Sequence, residues 1–364
     1  MGLGVLGSVV ITIELCSHLL LAAAGKIAPR LRVTLSQYEG KDWLKTMRRE
    51  EVATSRYFYQ PYVVWRRRPF EGKTISIDES GLRRTVHSHC DSSSYTVFMF
   101  GGSALWGSGS PDWGTIPSWL AKLFEDEGRP ACVRNFGESG YVSGQEITQL
   151  ILALKQGHKP DLVIFYDGWN DISARYQTGV PDAHANLYDI KQKFEVAPLL
   201  LALSETNTAR LYDRFATALG VHESSLERHR VMDAVGPSNA IASSIRVQYL
   251  RNMEIVDALS KSYRFRYAIF WQPMILAEKK SLSGQEKHIL EESAAHPKLV
   301  DLTQNTYRLM HDTEAKNFFY FGDVFKDRTD SVYVDWVHID PDSNGFIAMQ
   351  MHRALKMADA WPPK

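Results

Sequence analysis

Cysteine is scarce. The 364 residues hold only three, Cys16, Cys90 and Cys132, too few for a disulfide scaffold or a thiolate metal centre. Cys16 falls in an apolar run and Cys132 in an expected strand, so both are expected as buried thiols, and a Cys90–Cys132 bridge is disfavoured. Net charge is also lacking. Lysine plus arginine and aspartate plus glutamate number 42 each, which leaves no overall pull toward nucleic acid or anionic polymers. Internal repeats and low-complexity tracts are missing. The histidines form no metal motif: the pair in "HESSLERH" (222–229) is spaced too widely for good ligand geometry and has no helper cluster. His158 and His311 read as surface residues. No metal and no cofactor are expected.

What remains is ordinary globular composition, 44% hydrophobic and 23% charged, enough for one large domain with decorations or two modest ones. Aromatic residues are plentiful. Most serve the core, but those in loops could stack on flat ligands such as sugar rings.

One long apolar run is present. Residues 2–25, "GLGVLGSVVITIELCSHLLLAAAG", are interrupted only by Glu14 and His18. About 20 apolar residues can cross a bilayer as a helix, so residues 1–27 are expected to be a membrane anchor. A cleaved export signal and a soluble amphipathic helix are the other readings of the same run. Lys26, Arg30 and Arg32 follow the run and no basic residue precedes it. By charge alone, that would leave the rest of the chain in the cytoplasm.

Residues 28–94 read as a connecting region. Within it, "GKTISIDESGLRRT" (72–85) suggests a small surface hairpin turning at Gly81, and "WRRRPF" (65–70) suggests a solvated basic face. From residue 95 the pattern changes. Apolar runs at 95–100, 131–137, 161–168, 266–274 and 318–325 alternate with helical spacing at 116–128, 144–157, 244–263, 299–315 and 340–358. The runs are solidly apolar rather than alternating, so both faces of their sheet are covered. This argues an α/β fold: three αβα layers, doubly wound around a mostly parallel five-stranded sheet of the flavodoxin type. Residues 172–243 break the rhythm and are expected to form a helical insertion or lid over the edge where such sheets bind ligands.

The ends of the strands carry the chemistry. "FGGSALWG" delivers Ser103, "NFGESG" holds Asn135 and Gly140, "GWND" holds Asn170, and "DWVH" holds Asp335 and His338. A serine hydroxyl needs an adjacent base to attack, and an imidazole base needs a carboxylate to fix its tautomer. The resulting oxyanion needs fixed donors, here the amides of Ser103 and Gly140 and the side chain of Asn170. For any one serine alone, capping the following helix would suffice as an explanation. Four blocks in order do not reduce to that.

These blocks resemble those of the SGNH hydrolases, the GDSL-like esterases and lipases, over about residues 95–358. The resemblance implies a catalytic triad of Ser103, Asp335 and His338 and an oxyanion hole of Ser103, Gly140 and Asn170. Gly102 stands where the family carries aspartate. The family includes lipases, thioesterases, carbohydrate acetylesterases and acetyltransferases. The implied activity is hydrolysis of a short acyl ester, O-acetyl on a small molecule or glycan, with acetyl transfer or glycan binding without catalysis as alternatives. Trp106, Trp113 and Trp169 flank the site and are candidates to stack on sugar. By the same analogy the domain at 95–364 is expected outside the cytoplasm, tethered through the N-terminal segment, with no nucleic-acid partner.

Overall fold

A computed structural model describes residues 36–195 and 237–358, together with residues 13, 14, 16, 17, 206–209, 211, 212 and 361. The chain divides into two compact units, residues 1–34 with 186–233, and residues 35–185 with 234–364.

The apolar runs of the larger unit become one sheet. β5 (Tyr95–Gly101), β6 (Ala131–Asn135), β7 (Leu162–Asp167), β8 (Arg266–Trp271) and β9 (Phe318–Tyr320) pair in the order β6-β5-β7-β8-β9, every neighbouring pair parallel. β7 is buried along its whole length and β8 at every residue but its first, as strands covered on both faces must be. Between the strands run α3 (Ile116–Asp126), α4 (Ser143–Lys155), α5 (Trp169–Thr178), α7 (Ser238–Tyr263), α8 (Gly284–Glu292), α9 (Pro297–His311) and α10 (Pro341–Met357). α3 packs against α10, and α7 packs along α9 and touches α4 and α5. Their caps follow from sequence: Thr115 accepts from the Ser118 amide at the start of α3, and Asp340 does the same for Ser343 at α10. The chain leaves β5 for β6 on one side and β7 on the other. The carboxyl ends of β5 and β7 therefore flank the switch point where ligands bind in such sheets.

Several expectations are corrected. The fifth strand stops at Tyr320, because residues 321–326 turn rather than extend. Residues 35–94 are not a mere connector, since they belong to the larger unit. They supply α1 (Leu44–Ala53) and four short strands: β1 (Tyr57–Gln60), β2 (Val64–Arg67), β3 (Phe70–Glu71) and β4 (Ser76–Ile77). The 72–85 stretch does turn at Gly81, but Ile75, Ile77, Leu82 and Arg83 are buried, so it lies partly inside. The basic cluster is not a solvated face either. Arg66 and Arg67 are 2% and 4% exposed. Cys90 and Cys132 form a disulfide across 42 residues, tying the approach to β5 onto β6, and Cys16 is free and exposed rather than buried.

Among the described residues no helix is long and apolar enough to cross a membrane. The anchor expected at 1–27 lies almost wholly outside those residues, as do about half of the insertion expected at 172–243 and the 222–229 histidines. Within the smaller unit are α6 (Leu187–Glu195) and the carboxylate of Glu14, which accepts from the Thr208 amide at 3.0 Å and the Thr208 hydroxyl at 2.8 Å.

Candidate active site

Ser103 opens the four-residue helix α2 (Ser103–Trp106) straight off the end of β5. The two glycines before it are needed for space. A Cβ on Gly101 would come within 2.6 Å of the Tyr166 carbonyl, and one on Gly102 within 2.1 Å of Asn170 Nδ2. Any side chain at position 102 would have to displace the Asn170 amide.

His338 Nε2 lies 2.7 Å from Ser103 Oγ, and its Nδ1 lies 2.7 Å from Asp335 Oδ2. A carboxylate can only accept, so Nδ1 carries the proton and Nε2 is left to accept from the serine hydroxyl. Asp335 Oδ1 accepts from the backbone amides of His338 at 2.8 Å and Val337 at 2.9 Å, so one carboxylate shapes its own loop and orients the ring. The loop is pinned from below. Buried Glu286 accepts from the amides of Val332 and Tyr333 and pairs with buried Lys280 at 2.6 Å.

The electrostatics suit a base. Burial alone would lower the His338 pKa. The charge and hydrogen bond of Asp335, with a weaker pull from Glu51, reverse this and hold it above the ordinary imidazole value. Burial would raise the Asp335 pKa, but attraction to His338, its hydrogen bond and the two backbone amides keep it below the usual carboxylate range.

The remaining candidates come from the β6 and β7 ends. Gly140 has φ +76°, a backbone region open to glycine, with Trp65 and Ala185 walling its side. Asn170 donates one amide hydrogen to the Tyr141 carbonyl at 2.7 Å, which fixes the side chain and leaves the other hydrogen available. Asn135 accepts from the Gly137 amide at 2.9 Å and holds the turn between them.

Trp106 is corrected. It is fully buried, with the guanidinium of Arg67 3.8 Å from its ring on one hand and that of Arg83 at 4.3 Å on the other, so it offers no face to a ligand. It is a support for the serine turn. Trp113 is exposed but packs edge-on against Trp43. Trp169 is half-buried beside Asn170 and meets Trp336 edge-on at 6.2 Å.

Sequence reasoning missed the supports. Arg67 donates from its amide and Nε to the two oxygens of buried Glu138, each at 3.0 Å, and from Nη2 to Ser139 Oγ. Trp65 Nε1 donates to the Ser139 carbonyl at 3.0 Å, and the Tyr141 hydroxyl returns a bond to the Trp65 carbonyl. The β2 strand thus grips residues 138–141 from outside. The buried Arg83 donates to Asp112 and to the carbonyls of Trp106, Gly107 and Ser110. The one available signal was chemical: a glutamate inside a glycine-rich apolar turn calls for a cation, and the "WRRR" cluster could supply one instead of facing water.

Among the described residues no His, Cys, Asp and Glu group could hold a metal ion. No family model matches the sequence, and no significant match to a curated protein exists. Solved structures similar to this chain include an acetyl xylan esterase, 13% identical with TM-score 0.37, covering 71% of this chain and 99% of that one. The psychrotrophic esterase EstA from Pseudoalteromonas sp. is 13% identical with TM-score 0.35, covering 72% and 97%. A member of the lipolytic G-D-S-L family from Veillonella parvula is 11% identical with TM-score 0.35, covering 72% and 98%. Likeness at that level carries no argument about chemistry, which rests on the site itself.

Proposed function

We propose that the chain is a serine ester hydrolase of the SGNH type, removing a short acyl group, acetyl in size, from a glycan or similar hydroxylated compound through an acyl-serine intermediate. The observation that carries the reading is the unbroken relay from Ser103 Oγ to His338 Nε2 and from His338 Nδ1 to Asp335, 2.7 Å at each link. Ser103 gives its proton to His338 as its oxygen bonds to the acyl carbon, and Asp335 steadies the imidazolium. The oxyanion is received by the amides of Ser103 and Gly140 and the free hydrogen of Asn170. Collapse expels the alcohol, which takes the proton back from His338. Water then repeats the sequence and frees the acid. Trp65 and Ala185 beside Gly140 support a small acyl group. Half-buried Trp169 and Trp336 support a sugar-bearing alcohol. The reading extends to a location outside the cytoplasm, tethered by the N-terminal apolar run. The Cys90–Cys132 disulfide supports the location, since such bonds persist in oxidising compartments.

Ser103→Ala should retain the fold by circular dichroism and lose turnover of p-nitrophenyl acetate and labelling by a fluorophosphonate probe. Turnover that survives the substitution overturns the reading. Acetyl transfer to an added glycan outrunning acetate release would make the second step alcoholysis instead of hydrolysis.

A further inference from the structure

Beside the edge strand of the sheet lies a cleft, about 420 Å³ in volume, bounded by β6, α4 and the β1–β2 hairpin. None of the residues of the catalytic relay lines it. Two guanidinium groups meet there, at Phe136. Arg66 Nη1 approaches the Phe136 carbonyl at 3.4 Å. The guanidinium of Arg134 sits 5.4 Å from the centre of the Phe136 ring. With its amide turned to satisfy both ends, Gln149 accepts from Arg66 at 2.7 and 3.2 Å. Every partner of Arg66 named here is neutral.

The contrast with the neighbouring arginines is telling. Arg67 and Arg83 are as deeply buried, and each has a carboxylate, Glu138 and Asp112, at ion-pair distance. Arg66 is 2% exposed and has none, and neither has half-buried Arg134, among the described residues. The carboxylates nearby stand on the exposed 78–80 turn. Asp78 spends Oδ1 on the amides of Ser80 and Leu82, and Glu79 lines the rim. A guanidinium cannot shed its proton, so a buried one without a counter-charge is costly. Burial, and then the charge of Arg66, hold Arg134 below the ordinary guanidinium value against the pull of Asp78. A planar fork of donors is the geometry that takes phosphate or carboxylate bidentately.

We infer that this cleft is a binding site for an anionic group, a phosphate or a carboxylate on a small molecule, held by Arg66 and Arg134. Exposed His158 lies at the mouth. The site is independent of the ester chemistry proposed above.

Titration calorimetry of the full chain at low salt tests it, with inorganic phosphate, glucuronate and neutral glucose as separate probes. At least one of the two anions should saturate a single site, weaken as salt rises, and leave glucose without signal; which anion binds names the source. Arg134→Gln should weaken binding at least about tenfold, and exposed Glu79→Gln, which removes a competing charge, should tighten it. His338→Ala should leave the affinity for the anion unchanged. Absence of saturable binding by both anions overturns the site. So does binding that survives Arg134→Gln and falls in His338→Ala, which would put the anion at the catalytic relay.

Discussion

Asp335 acts on His338 in two ways that a pH profile can separate. It fixes the proton on Nδ1, and it lifts the imidazole pKa above 6.5. Only neutral imidazole can take the serine proton, so kcat/KM for an acetyl ester should fall as pH drops through a limb lying above 6.5. Asp335→Asn removes the charge that raises the pKa, so the limb should move to lower pH. It should also cost on the order of 10⁴ in kcat, because an amide can hold the ring in the wrong tautomer. Rates measured from pH 5 to 9 check both effects. A limb that stays in place in Asp335→Asn would mean that another group titrates. Ser103 and His338 were readable from sequence because four short blocks stand in order at the strand ends, where any one of them alone would have been too weak. Trp106 was misread for the opposite reason: nothing within "SALWG" reveals that two arginines from upstream close over its ring.

Between elements, the contact that matters most for the chemistry joins β2 to the loop after β6. Glu138 has both oxygens engaged by Arg67 and lies fully buried, and its neighbour Gly140 is the proposed oxyanion donor. Taking away one partner of a buried ion pair leaves the other charge stranded, at about 3–5 kcal/mol. Arg67→Met should therefore lower the urea midpoint sharply. Adding Glu138→Gln should recover part of that loss, since the stranded charge is gone. In whatever fraction stays folded, kcat should fall more than KM rises, because a misplaced donor is missed only when the oxyanion forms. Equal losses of stability in the single and double variants, with kcat intact, would reduce the pair to a surface-like contact. This grip was not legible beforehand. The five parallel strands announce themselves by continuous apolar runs, whereas an arginine cluster reads the same whether water or a distant glutamate receives it. The Cys90–Cys132 bond was wrongly disfavoured on similar grounds, since its partners come together through the β5–β6 pairing.

At the level of the whole molecule, the sheet and its helices enclose a layer of acids beneath the catalytic edge. Glu146 and Asp167 are buried, and Asp171 is half-buried beside them. Ser143 donates to Asp171 at 2.6 Å and Tyr249 to Asp167 at 2.8 Å, but both oxygens of Glu146 and Oδ1 of Asp167 have no other donor, a gap that a proton between them would fill. Burial is the main cause of the raised pKa values. It carries Asp167 to about 6 and Asp171 to about 8, and with the charge of Asp167 it pushes Glu146 well above 4.5. Unfolded, the same groups ionise near their ordinary values of 3.8 and 4.5. The folded chain therefore binds more protons across that window. Stability from this layer is complete below about pH 4 and drains away as pH rises toward 8. His338 pulls in the same direction, since a raised imidazole pKa favours the folded state only while the ring is protonated, so His338→Ala serves as the control. Melting temperatures at a series of pH values from 5 to 8.5 should decline by several degrees, each kcal/mol counting for about 1–2 °C in a chain of this size. Glu146→Gln keeps the shape, supplies the missing donor to Asp167 and cannot ionise, so its decline should be shallower and its melting point at pH 8 higher than the parent's. If the parent melts at one temperature throughout, or the two proteins lose stability in parallel, the acids are ionised inside the fold and the proton between Glu146 and Asp167 does not exist.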